Sequence, residues 1–312
     1  MIPEGRTEED IRRHGGLGGG ASDPVGTARV KVEQHGGAWT GVKKLTKPMR
    51  RLLYLAAALV LLAGLDLSVL TDHTDRYFAW TVTPGLTAAF LGAGYLAAFF
   101  LEVLAAREQE WARARIAAPA VLVFTALTLA VTILHRSRFH FDSLHPVARL
   151  WAWAWLAIYV LVPVIMIVVL VGQARAPGAD PPRRRPIPVW ATTILAAQGT
   201  VLLVLGSALL IAPARAASWW PWMLTPLTGR AIGAWQVGVG IAAVHAILER
   251  ELDRFRPAAA AAGVLGALQL VALARYRSDV SWHGPAAWVY LGFVASIFVL
   301  GALGWALGRR PA

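Results

Sequence analysis

Two ionisable residues fall inside long apolar runs of this chain, where an acid or a base needs a partner, water or a substrate. Asp66 sits in LVLLAGLDLSVL (59–70), and Arg230 in the run that follows Thr225-Pro226. Counted at 1.5 Å per residue, Asp66 lies about 8 Å from the C-terminal end of its run and Arg230 about 8 Å from the N-terminal end of its own, ends that fall on the same, outer side of the membrane. Facing one another they would make a polar intramembrane site for a substrate. The plainer reading leaves Asp66 protonated or hydrated near the interface and lets the Arg230 stem snorkel outward.

A second pattern is polar and occurs twice. Glu108-x-Glu110-x-x-Arg113-x-Arg115 recurs as Glu249-x-Glu251-x-x-Arg254-x-Arg256. Glu110/Arg113 and Glu251/Arg254 are three apart and predict helical ion pairs, which contribute only a few tenths of a kcal/mol when exposed. One reading is a solvated helix end that also sets topology; the other is a symmetric inner gate or a docking surface for a partner.

His140-x-Asp142-x-x-His145, with His73 in the DHTD stretch (72–75), carries imidazole and carboxylate groups of the kind a divalent metal takes. Its spacing fits no ligand pattern, so no metal and no cofactor are expected and these read as interfacial loop residues. His245 and Glu249, four apart, can pair on one helix face. Glu102, near the end of its apolar run, reads as structural. The chain has no Cys, which excludes disulfides, thiolate catalysis and Cys-ligated metals. It also lacks an HExxH, a P-loop or a nucleophile elbow in a fitting context, so an enzyme is not the favoured reading.

These residues must be placed by membrane helices. Of 312 residues, 57% are hydrophobic and only 15% charged, far from the composition of soluble domains. From Leu52 on, eight apolar runs (52–71, 84–106, 116–135, 150–173, 187–212, 225–248, 258–275 and 285–307) have the length that crosses about 30 Å of hydrocarbon as helix. None alternates with period two, as barrel strands do. Residues 1–50, rich in Gly and charge, have no apolar period and no signal-peptide core, and read as a flexible basic tail.

The formal charge of +12 sits at the borders of the runs. Lys43, Lys44, Lys47, Arg50 and Arg51 precede the first; Arg107, Arg113 and Arg115, then Arg175 and Arg183 to Arg185, then Arg250, Arg254 and Arg256, and finally Arg309 and Arg310 lie on the same side. The other side has fewer cations and many Trp. The positive-inside rule then puts both termini in the cytoplasm and the Trp-rich border outside, in the plasma membrane. The stretch 43–51 suits anionic lipid. Cations spread along membrane borders do not make a nucleic-acid surface.

Laying residue n on n+141 matches Leu86/Leu227, Thr87/Thr228, Gly92/Gly233, Val103/Val244, Arg136/Arg277 and Ser137/Ser278 without a gap. The fold predicted is all-α and transmembrane: eight helices as two tandem, parallel four-helix repeats related by a pseudo-two-fold axis along the membrane normal. The repeats span 51–174 and 187–308, joined by a Pro/Arg-rich cytoplasmic linker (175–186), with 309–312 as a cytoplasmic C-terminus. Small residues in the second run (Gly92, Gly94, Ala97) and the sixth (Gly229, Gly233, Gly238, Gly240) point to close helix contact there, between the repeats or between two copies of the chain.

The segments FAWTVTPGLTAAFLGAGY (78–95), HRSRFHF (135–141) and WPWMLTPLTGRAIGAW (220–235) resemble those of uncharacterised multi-pass membrane proteins of high-GC actinobacteria. The resemblance implies the eight-helix architecture and no particular activity. Duplicated bundles of this kind suit a permease for a small or amphipathic solute. The alternative is a non-catalytic scaffold or accessory subunit of a membrane complex.

Overall fold

A computed structural model of the chain describes residues 41–309, in which all the long elements are helices. Eight are long and apolar enough to cross a membrane, making this a multi-pass membrane protein. They are α1 (Lys47–Val69), α2 (Gly85–Arg107), α3 (Ala117–Leu134), α4 (Pro146–Arg175), α5 (Val189–Ile211), α6 (Pro226–Glu249), α7 (Leu252–Arg275) and α8 (Pro285–Arg309). Most of the predicted tail, 1–40, lies outside the described residues.

Local chemistry sets the helix starts. Thr46 caps α1, its hydroxyl accepting from Met49 N at 3.5 Å. Thr225 caps α6 in a capping box: its Oγ1 accepts from Thr228 N at 3.2 Å, and Thr228 Oγ1 accepts from Thr225 N at 3.0 Å. Pro226 occupies the first helical position, where no N–H is missed. α7 begins at Leu252, six residues before the predicted run, because its first turns carry Arg254 and Arg256 and are too polar to register as apolar sequence.

One border differs from expectation. Residues 41–46, assigned to the flexible tail, pack against the ends of other helices: Lys43 N donates to Ala179 O and Leu45 N to Gln109 O, both at 2.9 Å. Leu45 and Met49 are buried. The linker is likewise tied down, with Leu252 N donating to Arg185 O at 2.8 Å.

The packing is interlocked. α1 lies on α2 and α5 on α6; α3 lies on α4 and α7 on α8; across the halves, α2 packs on α7 and α3 on α6. The small residues mostly close the contacts within a half, which corrects their expected use. A Cβ on Gly92 would stand 3.2 Å from Gly64 O, and one on Gly233 2.7 Å from Gly206 O. Only Gly94, against Trp235, and Gly238, against Phe124, face the other half or its border.

Candidate functional site

The two polar motifs form the turns between α2 and α3 and between α6 and α7, on the side here called the basic face. After Arg107 the chain runs extended through Glu108 to Glu110, which bridges to Lys44; after Glu249, Arg250 takes a left-handed conformation (φ 53°) and Glu251 bridges to Pro186. These are tight inter-helix junctions, not solvated helix ends. Arg115 donates to Glu249 from Nε and Nη2, the latter at 2.9 Å, and Arg254 Nη1 reaches the same carboxylate at 2.6 Å. His245 Nε2 lies 3.3 Å from it. Asp180 sits 2.7 Å from Arg115 and 3.7 Å from Arg254. In the other turn Arg256 Nη2 donates to Glu108 at 3.1 Å.

Burial of Arg115 works against its charge, but the carboxylates of Glu249 and Asp180 outweigh it and hold the guanidinium above its ordinary value. Of the two predicted i,i+3 pairs, Arg113–Glu110 forms at 2.9 Å. Glu251–Arg254 does not: the Glu251 carboxylate accepts the Arg185 backbone N–H at 3.0 Å, and Arg254 turns to Glu249 instead.

Asp66 and Arg230 are not brought together. α1 packs on α2 and α6 on α5 and α3, so the helices carrying them are not neighbours. Arg230 Nε donates to Leu210 O at 3.0 Å, one of the last carbonyls of α5, and Nη1 donates to His135 Nε2 at 2.9 Å. Asp66 Oδ2 is buried with no hydrogen-bond partner. The polar site expected from these two residues is therefore two separate features.

The outer histidines do not converge either. His140 uses both ring nitrogens on the protein, Nδ1 with Phe78 O at 2.9 Å and Nε2 with Thr81 Oγ1 at 3.1 Å. Among the described residues no group of three or more His, Asp or Glu is placed to hold a metal ion, the weak trio His140, Asp142 and His145 included.

What the structure adds is a cavity of about 170 Å³ lined by all eight spanning helices. Its wall is hydrocarbon and aromatic, with a few polar residues: Thr125, Tyr159, Gln198 and one carboxyl group, Glu102. Gln198 and Thr125 have hydrogen-bond partners, Ser296 Oγ and Val121 O. Glu102 is 2% exposed, and its Oε2 has none. By sequence Glu102 reads as structural, with Ala243 aligned to it at the offset of 141; the signal for a further role is an acid in an apolar run.

Phe124, Tyr159 and Trp235 of the wall belong to a ring cluster with Tyr95. Tyr95 and Trp235 meet edge to face at 4.9 Å between centroids, Phe124 lies 4.2 Å from Trp235, and the Tyr95 and Tyr159 hydroxyls are 2.8 Å apart. Beyond it stand two triads of rings. Phe78, Trp80 and Trp155 pack with centroids 4.8 to 5.4 Å apart, and Trp220, Trp222 and Tyr290 with centroids 5.1 to 5.5 Å apart.

Comparison with protein-family models, with curated proteins and with solved structures returns no match, so the reading of this site rests on its own geometry.

Proposed function

We propose that the protein is a transporter of a small or amphipathic solute, carried through the cavity at the junction of two equivalent four-helix repeats. The observation that carries this reading is the cavity's position: every spanning helix contributes to its wall, and the aromatic rings of Phe124, Tyr159 and Trp235 and the carboxyl group of Glu102 are part of it. Transport sites lie where repeats meet, and a ligand pocket is a mostly apolar cavity with few polar groups.

Several correspondences support the repeat and its two-fold relation. Exchanging the halves turns α1/α2 into α5/α6, and α2/α7 into α6/α3. It turns Arg115–Glu249 into Arg256–Glu108, the Gly64/Gly92 approach into Gly206/Gly233, and one ring triad into the other. The surplus of Lys and Arg at the basic face supports a cytoplasmic location for it in a plasma membrane, with the lysines before α1 near anionic lipid.

The absence of Cys makes the test clean. Single variants Ala98→Cys and Ala262→Cys, which line the cavity, are reconstituted in liposomes and treated from either side with a membrane-impermeant thiol reagent. Leu144→Cys and Ala179→Cys report the two faces, and Val168→Cys, 67% exposed on α4, reports a lipid-facing site. The expected result is labelling of the cavity positions from at least one side, faster than at Val168. Rates equal to the Val168 control from both sides would leave a dry bundle and sink the reading.

A further inference from the structure

Among the described residues the cavity wall carries one acid and no base. Glu102 lies on α2 about 8 Å from its basic-face end, and none of the described Lys, Arg or His residues borders the cavity. Tyr159 on α4 is the other titratable residue on the wall, its hydroxyl engaged by Tyr95. No wall group can therefore neutralise a Glu102 carboxylate, and a carboxylate held out of water without a counter-charge is strongly disfavoured. Its charge must be met by a proton or by a cation that enters, and the two compete for the same oxygens. The ring faces of Phe124, Trp235 and Phe255 on the same wall add attraction for a cation. The equivalent position on α6, Ala243, offers no second acid, so the site has one unit of charge to satisfy. Its size is close to that of an apolar protein cavity of about 150 Å³ that takes up benzene, which limits the occupant to about one ring and a short chain.

We propose that this cavity binds a monovalent organic cation, a primary amine bearing one aromatic ring or an alkyl tail of similar bulk. Its ammonium meets Glu102, its apolar part lies against the rings, and its arrival sends the Glu102 proton to water. The amine enters as R–NH3+ and one H+ leaves, so charge in the cavity stays constant and amine movement is coupled to proton movement in the opposite direction. This names the solute of the transport reading above and rests on it.

The test uses the full chain in lipid nanodiscs and titration calorimetry with three probes of one shape, 2-phenylethylamine, 2-phenylethanol and phenylacetate, corrected against empty nanodiscs. The amine is expected to bind about tenfold tighter than the alcohol, or better, as a charge-assisted hydrogen bond implies, with phenylacetate weakest. Heats in two buffers of different ionisation enthalpy should show one proton released per amine. Glu102→Gln should bring the amine down to the affinity of the alcohol, leave the alcohol unchanged and abolish proton release. Adding Ala243→Glu to that variant should restore the preference for the amine. If the Gln variant does not yield folded protein, the ranking and proton count on the native chain decide. Equal binding of amine and alcohol, or a preference that survives Glu102→Gln, overturns the cation assignment while leaving a ligand cavity in place. Binding of none of the three overturns it too, and the cysteine labelling then judges the transport reading separately.

Discussion

Arg115 closes on Glu249 in the turn after α6, and Arg256 closes on Glu108 in the turn after α2. Each turn thus holds the other's first glutamate with its own last arginine, one contact made twice by residues that correspond at an offset of 141. The copies differ in burial. The Glu249 and Arg254 side chains are each 4% exposed, whereas Arg256 is 34% exposed. The network joins the turn after α2 to the turn after α6 at the basic face.

Burial sets the cost of breaking each copy. Glu249→Gln leaves Arg254 and Arg115 with Asp180 as their remaining counter-charge and should destabilise by about 2–3 kcal/mol. Glu108→Gln breaks a pair with a single, more exposed arginine and should cost less, about 1 kcal/mol. Denaturation in mixed micelles gives both values, and equal losses would show that burial does not govern this network.

His135 provides a pH-dependent contact at the aromatic face. Burial first, then the charges of Arg230 and Arg138, hold its imidazole below the ordinary value, and its Nε2 accepts from Arg230. A neutral ring is therefore favoured in the folded state. The sign follows: its contribution is fully present above the unfolded value of about 6.5 and is lost as pH falls through the lower folded value. The thermal midpoint should drop on acidification from pH 7 to 5. His135→Gln, which retains an acceptor near the Nε2 position but does not titrate, should flatten that drop; an unchanged slope would exclude His135 as its source.

Close helix approach makes another measurable contrast. A Cβ on Gly233 would lie 2.7 Å from Gly206 O, and one on Gly301 2.3 Å from Gly263 N, both backbone atoms that cannot swing aside. Gly233→Ala and Gly301→Ala should each cost about 1–3 kcal/mol through forced separation of paired helices. At Gly172 and Gly292 nothing lies within 4 Å, so Ala there should be neutral or stabilising by up to about 1 kcal/mol. The same denaturation series, run on all four variants, separates the two classes.

The eight spans were readable because hydrophobic runs near 20 residues have one structural outcome in a bilayer, and the motif Glu108 to Arg115 stood out because a polar pattern repeated at a fixed offset is not produced by apolar composition. The partners were not readable. Asp66 and Arg230 matched in depth, but depth does not say which helices are neighbours, and the interlocked order puts α3 and α5, not α1, beside Arg230. Glu251 was expected to pair with Arg254 by spacing; it stands extended just before α7 begins, and its carboxylate is taken by a linker N–H 66 residues away in sequence. Glu102 reads as structural by sequence because Ala243 stands at the aligned position, and only the fold places its carboxyl group on the cavity wall.

Interlocking also determines how the protein divides. Each half gives its third helix to the second helix of the other, α7 to α2 and α3 to α6, so neither α1–α4 nor α5–α8 covers its own α2 or α6 contact face. Cutting the chain between Gly178 and Ala179, in the linker, breaks no spanning helix, although it frees the strand-like contact of Val42 with Ala179. Residues 1–178 and 179–312 expressed together, with an affinity tag on one, should co-purify and keep the cysteine-labelling pattern of the intact protein. Either half alone should aggregate or be degraded, since its exposed small-residue and polar faces have no partner in lipid. Adding Glu249→Gln to the second half should lower recovery of the pair more than adding Glu108→Gln to the first. Halves that fold and remain monodisperse separately would mean that the cross-half contacts are not what holds α2 and α6 in place.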